Sequence, residues 1–184
     1  MKTTAAFFFL MFVFNISAAA QEKKTDQSLN RANFNGTWIF DGKKSNLGDP
    51  LQALYQERML VISYTGQEFK IVKTQIQLGE TRSANLVFYT DDRGEKNRPY
   101  PFNQLFEIRS QTVWEKDVLV RSYKIKAYLD GKEVDDVEAS EEYKLSDEGK
   151  TLIIYGRTKF PKEFGFKNSE GGFGKSKIVY RKKE

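Results

Sequence analysis

The stretch Phe34-Asn35-Gly36-Thr37-Trp38-Ile39-Phe40 constrains the fold more than any other part of the chain. A glycine, one spacer and a tryptophan open an apolar, strand-like run just past a polar tail. Short alternating segments follow it almost to the end of the chain. A large aromatic at the first strand of such a series is best used as a plug. Trp38 is therefore expected to close one end of a small antiparallel β-barrel.

The remaining segments agree with this. Strand patterns are expected at residues 36–41, 59–64, 68–77, 84–90, 105–115, 118–129, 132–145, 151–159 and 176–181. One or two helical turns are expected at residues 51–58, from the spacing of Leu51, Leu54 and Tyr55. Thr65-Gly66-Gln67 is a hairpin turn with glycine to take a positive φ. Phe106, Ile108, Ser110, Thr112 and Trp114 share one parity. Leu119, Arg121, Tyr123, Ile125 and Ala127 share another, opposite Ser122, Lys124 and Lys126. One face is buried and one is wet, as in antiparallel barrels. The fold expected is all-β: a single up-and-down barrel of roughly eight to ten strands, with a short helical turn near its N-terminal end.

The ends and the composition limit the function. Met1-Lys2, the apolar run at residues 5–14 and Ser17-Ala18-Ala19-Ala20 have the order of an export signal. Residues 1–20 are expected to be a leader, residues 21–33 a flexible polar tether and residues 34–184 the barrel domain. The apolar run is shorter than the ~20 residues that span a bilayer, and no later stretch is apolar enough to cross one. The expected location is therefore the periplasm or the cell exterior. A formal net charge of +5 is too mild a basic excess for a nucleic-acid partner. The chain has neither cysteine nor histidine. These absences remove Cys–His and Ser–His machinery and the usual zinc, copper and haem ligand sets. No metal, cofactor or catalytic residue is expected. Gly42-Lys43-Lys44-Ser45 echoes a phosphate-binding loop but lacks its upstream glycine and following helix.

Asn35-Gly36-Thr37-Trp38 resembles the glycine–x–tryptophan opening of lipocalins and other calycin barrels. Lys44-Ser45 a few residues on, and the late Leu145-Ser146-Asp147-Glu148-Gly149-Lys150-Thr151-Leu152 hairpin, are similar to small exported lipocalin-like proteins of bacteria. The resemblance implies an up-and-down barrel with an apolar interior and a small-molecule or lipid ligand. It also implies a late basic residue packed over Trp38, with Arg181 the first candidate and Arg157 the second.

Inward parity nominates Phe69, Ile71, Phe88, Phe106, Ile108, Leu119, Arg121, Tyr123 and Tyr143 as ligand-binding residues. Arg121 needs a partner inside the barrel. A three-residue loop, Asp130-Gly131-Lys132, sets Leu129 opposite Glu133 and Arg121 opposite Glu141. Glu141 thereby joins the candidates, either as a self-contained ion pair with Arg121 or as part of an anchor for a ligand's polar head. The expected function is the binding of a small apolar or amphipathic molecule. The alternatives are a structural or interaction protein whose barrel is filled by its own side chains, and an enzyme built on barrel carboxylates or tyrosines. The glycine- and phenylalanine-rich residues 160–174 are expected to form either a mobile lid over the mouth or a disordered loop.

Overall fold

A computed structural model describes residues 32–46, 56–102, 107–130, 132–160 and 174–184. The expected leader, almost all of the tether, residues 51–55, Phe106 and the interior of the 160–174 loop lie outside these.

Ten antiparallel strands make up the described fold: β1 (Gly36–Phe40), β2 (Gln56–Thr65), β3 (Glu68–Gln77), β4 (Glu80–Tyr89), β5 (Glu95–Asn97), β6 (Ile108–Glu115), β7 (Val118–Leu129), β8 (Lys132–Ser146), β9 (Thr151–Lys159) and β10 (Lys175–Lys182). The sheet order β4-β3-β2-β1-β10-β9-β8-β7-β6-β5 joins every strand to a sequence neighbour, apart from β1 with β10, which brings the first and last described strands together. The result is a nearly closed up-and-down barrel. Residues 56–58 of the expected helical turn belong to β2, as a correction. The apolar positions that suggest a helix there precede this strand rather than extend into it.

Four hairpins turn in two residues, since Thr65 pairs Glu68, Gln77 pairs Glu80, Glu115 pairs Val118 and Leu129 pairs Lys132. Each turn places a residue in the left-handed region: Gly66 at φ 62°, Leu78 at 50°, Lys116 at 59° and Asp130 at 50°. Such turns twist in the sense the flanking strands need. The two-residue turn at Asp130 corrects the expected three-residue loop and sets Leu129 opposite Lys132 rather than Glu133. A two-residue turn alone would put Arg121 out of step with Glu141. Between the pairs Ala127–Val134 and Ile125–Val137, however, β8 has one residue more than β7. This bulge restores the register, and Arg121 stands opposite Glu141.

The seam between β4 and β5 is closed by side chains. Asn97 Oδ1 accepts the Val87 N–H at 2.8 Å, and Asn97 Nδ2 donates to the Val87 carbonyl at 2.8 Å. Glu95 Oε2 accepts the Tyr89 N–H at 3.3 Å. An amide and a carboxylate thus stand in for the missing ladder bonds, and they satisfy backbone groups that an open edge leaves exposed.

One half of the interior is packed solid. Trp38 is 0% exposed, and its indole N–H donates to the Phe34 carbonyl at 2.8 Å. Phe34 packs against Phe69 and Trp114, Phe69 against Tyr64, Phe88 and Tyr143, and Phe88 against Tyr143. Leu60, Ile62, Ile71, Leu119 and Leu152 belong to the same core, with Ala84, Leu86, Ile154 and Tyr180. The basic residue over Trp38 is Lys182, with Nζ 5.4 Å from the ring centroid. Arg181 is corrected: its side chain is 65% exposed and paired with Asp41 at 3.1 Å. The register explains this, since Trp38 pairs Lys182 while Arg181 pairs Ile39 and takes the outward parity.

Candidate functional site

Above the aromatic core the interior turns polar. Arg121, on β7, is 2% exposed. Its Nη1 donates to Glu141 Oε2 at 3.3 Å, and its Nε donates to Ser110 Oγ at 2.9 Å. Ser110 Oγ donates to Glu95 Oε1 at 2.6 Å, which Thr112 Oγ1 also reaches at 2.8 Å. The guanidinium lies over the rings of Phe88 and Tyr123, at 4.8 and 4.7 Å to their centroids. Arg121 Nη2 is buried with no hydrogen-bond partner among the described residues. The two ring faces compensate part of its lost hydration.

Glu141, with 25% of its side chain exposed, is the hub of the network. Tyr143 donates to its Oε2 at 2.8 Å, and Tyr123 donates to its Oε1 at 3.4 Å. Burial works to raise the Glu141 carboxyl, but the Arg121 charge, the Tyr143 hydroxyl and the Lys73 charge outweigh it. Glu141 is therefore held below the usual carboxylate range. Burial opposes the Arg121 charge as well, and the Glu141 carboxylate reverses that. Burial first, then the Glu141 charge, pushes the Tyr123 and Tyr143 hydroxyls well above their ordinary value. A buried cation, a part-buried anion and two neutral phenols thus hold one another in fixed protonation states.

Past Glu141 the barrel is hollow. A cavity of about 370 Å3 lies between β3, β7, β8, β9 and β10. Its apolar wall includes Ile125, Val137, Ala139, Ile154 and Ile178, and its polar wall includes Lys73, Gln75, Tyr123 and Glu141. Tyr100 and Phe160 stand at its margin. Gly156 lines it too, and a Cβ there would meet the Ser176 Oγ of the facing strand at 2.4 Å. A wider depression of about 1670 Å3 shares this rim. It is open to solvent and extends over outward side chains such as Arg109, Gln111, Ser122, Lys124 and Lys159, so it belongs mainly to the outer surface.

Of the residues nominated by parity, Tyr123 and Glu141 line the cavity. Phe69, Ile71, Phe88, Leu119 and Tyr143 face inward but lie in the packed half. Ile108 is buried, and Arg121 stands behind Glu141 and Tyr123. Lys73 and Gln75 on the cavity wall and Glu95 in the polar network are positions that the sequence reading misses. Lys73 and Gln75 follow Phe69 and Ile71 on the same parity, so continuing the alternation would have found them. Glu95 sits in a three-residue strand with no hydrophobic pattern, and nothing in the sequence marks it.

No family model and no curated protein matches this chain.

Proposed function

We propose that this chain is an exported, lipocalin-like protein that holds a small apolar or amphipathic molecule in the open half of its barrel. The observation that carries the reading is the cavity of about 370 Å3 above the aromatic core. It falls within the ~300–1,000 Å3 range of small-ligand pockets, with the mixture of apolar wall and few convergent polar groups that such pockets have. The leader-like residues 1–20 are what support export.

The packed half favours a second reading, a barrel that serves structure or interaction alone. An acid–base enzyme is less well supported. That chemistry calls for one carboxyl held protonated beside another that is ionised, whereas Arg121 and Tyr143 keep Glu141 ionised. Glu95 is engaged by Ser110, Thr112 and the Tyr89 N–H.

Mass spectrometry of the protein purified from its native source separates these readings. A small molecule released on denaturation is expected from the wild type and absent from Ala139→Phe, which fills the cavity from β8. Equal recovery from a folded Ala139→Phe variant, or none from either protein, rejects binding at this cavity.

A further inference from the structure

Building on the binding reading above, we infer that the cavity holds its ligand polar end first: an aliphatic alcohol, whose hydroxyl sits over Gly156, donates to Glu141 Oε1 and accepts from Ser176 Oγ.

The register of four strands draws this site. On the inner face, residues paired across β7, β8, β9 and β10 form rows. The row nearest the aromatic core is Leu119, Tyr143, Ile154 and Ile178. Two residues further along each strand stands a polar row of Arg121, Glu141, Gly156 and Ser176. Beyond it come Tyr123, Ala139 and Thr158, and then Ile125 with Val137. Glu141, Gly156 and Ser176 all line the cavity. The polar row therefore has a gap at its glycine, with Glu141 on one side and Ser176 on the other. Ser176 leans over that gap, since a Cβ on Gly156 would collide with its Oγ.

The two flanking groups require a ligand atom that both donates and accepts. Glu141 is held ionised and only accepts. Its Oε2 is taken by Arg121 and Tyr143, whereas Oε1 accepts a bond of 3.4 Å from Tyr123, near the outer limit for such a bond. Oε1 is therefore the oxygen best able to take a donor from the ligand. The Ser176 hydroxyl can turn its proton toward the ligand. A ligand hydroxyl, with one proton and two lone pairs, meets both neighbours through one oxygen. An ether oxygen accepts from Ser176 but offers Glu141 nothing. A carboxylate has no proton to give at neutral pH and would meet the Glu141 charge. An ammonium would be a second cation beside a carboxylate that Arg121 already pairs at 3.3 Å. Arg157 borders the cavity as well, but it has the outward parity: its side chain is 69% exposed and reaches Glu142 at 3.8 Å. With the hydroxyl over Gly156, the chain of the alcohol runs past Ala139 toward Ile125 and Val137.

The test compares 1-decanol with its isomer 1-methoxynonane, which keeps the oxygen acceptor and lacks the donor. Each displaces the fluorophore N-phenyl-1-naphthylamine from the whole chain at neutral pH. 1-Decanol is expected to do so at roughly tenfold lower concentration, the scale of one hydrogen bond to a charged group. Gly156→Ala fills the gap and should bring the ratio of the two near one. Arg121→Met combined with Glu141→Met removes the acceptor together with its cation and should do the same. Ser176→Ala removes a donor that both oxygens use, so it should weaken both probes roughly fivefold and leave their ratio unchanged. If Gly156→Ala and the double variant do not fold, Ser176→Ala and the wild-type ratio carry the test. Equal displacement by the two isomers in the wild type overturns the inference. So does a preference that survives in folded Gly156→Ala or in the folded double variant, because the hydroxyl then lies against another lining group such as Gln75. Unchanged affinities in Ser176→Ala overturn it too. A wild type that takes up neither the fluorophore nor 1-decanol, by direct calorimetry, sinks the binding reading itself and this inference with it.

Discussion

Arg121 is the side chain with most to lose in this barrel. Its hydration is replaced by one carboxylate, one hydroxyl and two ring faces. Arg121→Met leaves Glu141 without its cation and should destabilise the fold by about 3–5 kcal/mol. Arg121→Met combined with Glu141→Met removes both charges and should cost clearly less than the two single changes added together. Denaturant titration of the four proteins checks this, and simple additivity would mean that the pair is not coupled. Trp38 is a different case, since its worth lies in volume. Trp38→Ala should cost about 3–5 kcal/mol as a large core truncation, with the same titration as the measure. The burial of Trp38 follows from the opening motif and its sequence position. Which basic residue covers it does not. Arg181 and Lys182 are neighbours of like charge, and only the β1–β10 register tells them apart.

At the scale of elements, two devices hold the barrel in register, and the sequence shows neither. The first is the β8 bulge. Parity places Arg121 and Glu141 inward, and the three-residue loop read from Asp130-Gly131-Lys132 brings them face to face. The structure reaches that pairing by another route: the tight turn slips the register and the extra residue of β8 returns it. A bulge has no compositional mark in a polar stretch such as this one, so local turn chemistry alone misjudges where the compensation sits. Deleting Asp136 removes the extra residue while leaving the two-residue turn. It should preserve the Arg121–Glu141 coupling, measured by repeating the double-mutant cycle in the deletion background. Loss of the coupling there would show that the bulge does more than set the count. The second device is the β4–β5 seam, which rests on Asn97 and Glu95 in a strand too short to show a period. Asn97→Ala should leave the Val87 N–H and carbonyl unpaired and cost about 1–3 kcal/mol. Hydrogen exchange should accelerate at Val87 before it does at Val72, which pairs with Val61 and Asn85 inside the sheet.

The whole molecule divides into an aromatic half that supplies stability and a polar half that leaves a cavity. The division was only partly legible beforehand. Alternation tells inside from outside, but every inward residue looks alike in sequence, whether it packs against a ring or faces a void. The volume left over depends on how side chains from five strands meet, and no single segment encodes it. The polar network also couples the fold to pH, and the signs follow from the shifts. Glu141 is held below its ordinary 4.5 in the folded chain. Its contribution is therefore fully present above about 4.5 and is lost as pH falls through the lower folded value. Tyr123 and Tyr143 are pushed above their ordinary 10.0. Their contribution is fully present below 10.0 and is lost as pH rises beyond it toward the folded values. With no histidine in the chain, no imidazole titrates between the two limits. The expected profile is a plateau with one acid limb and one alkaline limb. Exposed pairs such as Lys124–Glu138 also titrate, but salt screens them far more than it screens the buried network. Unfolding free energies measured across pH in high salt therefore isolate the interior. Glu141→Gln should flatten the acid limb there, and Tyr123→Phe should reduce the alkaline one. An acid limb that keeps its full slope in folded Glu141→Gln would assign acid sensitivity to carboxylates other than Glu141.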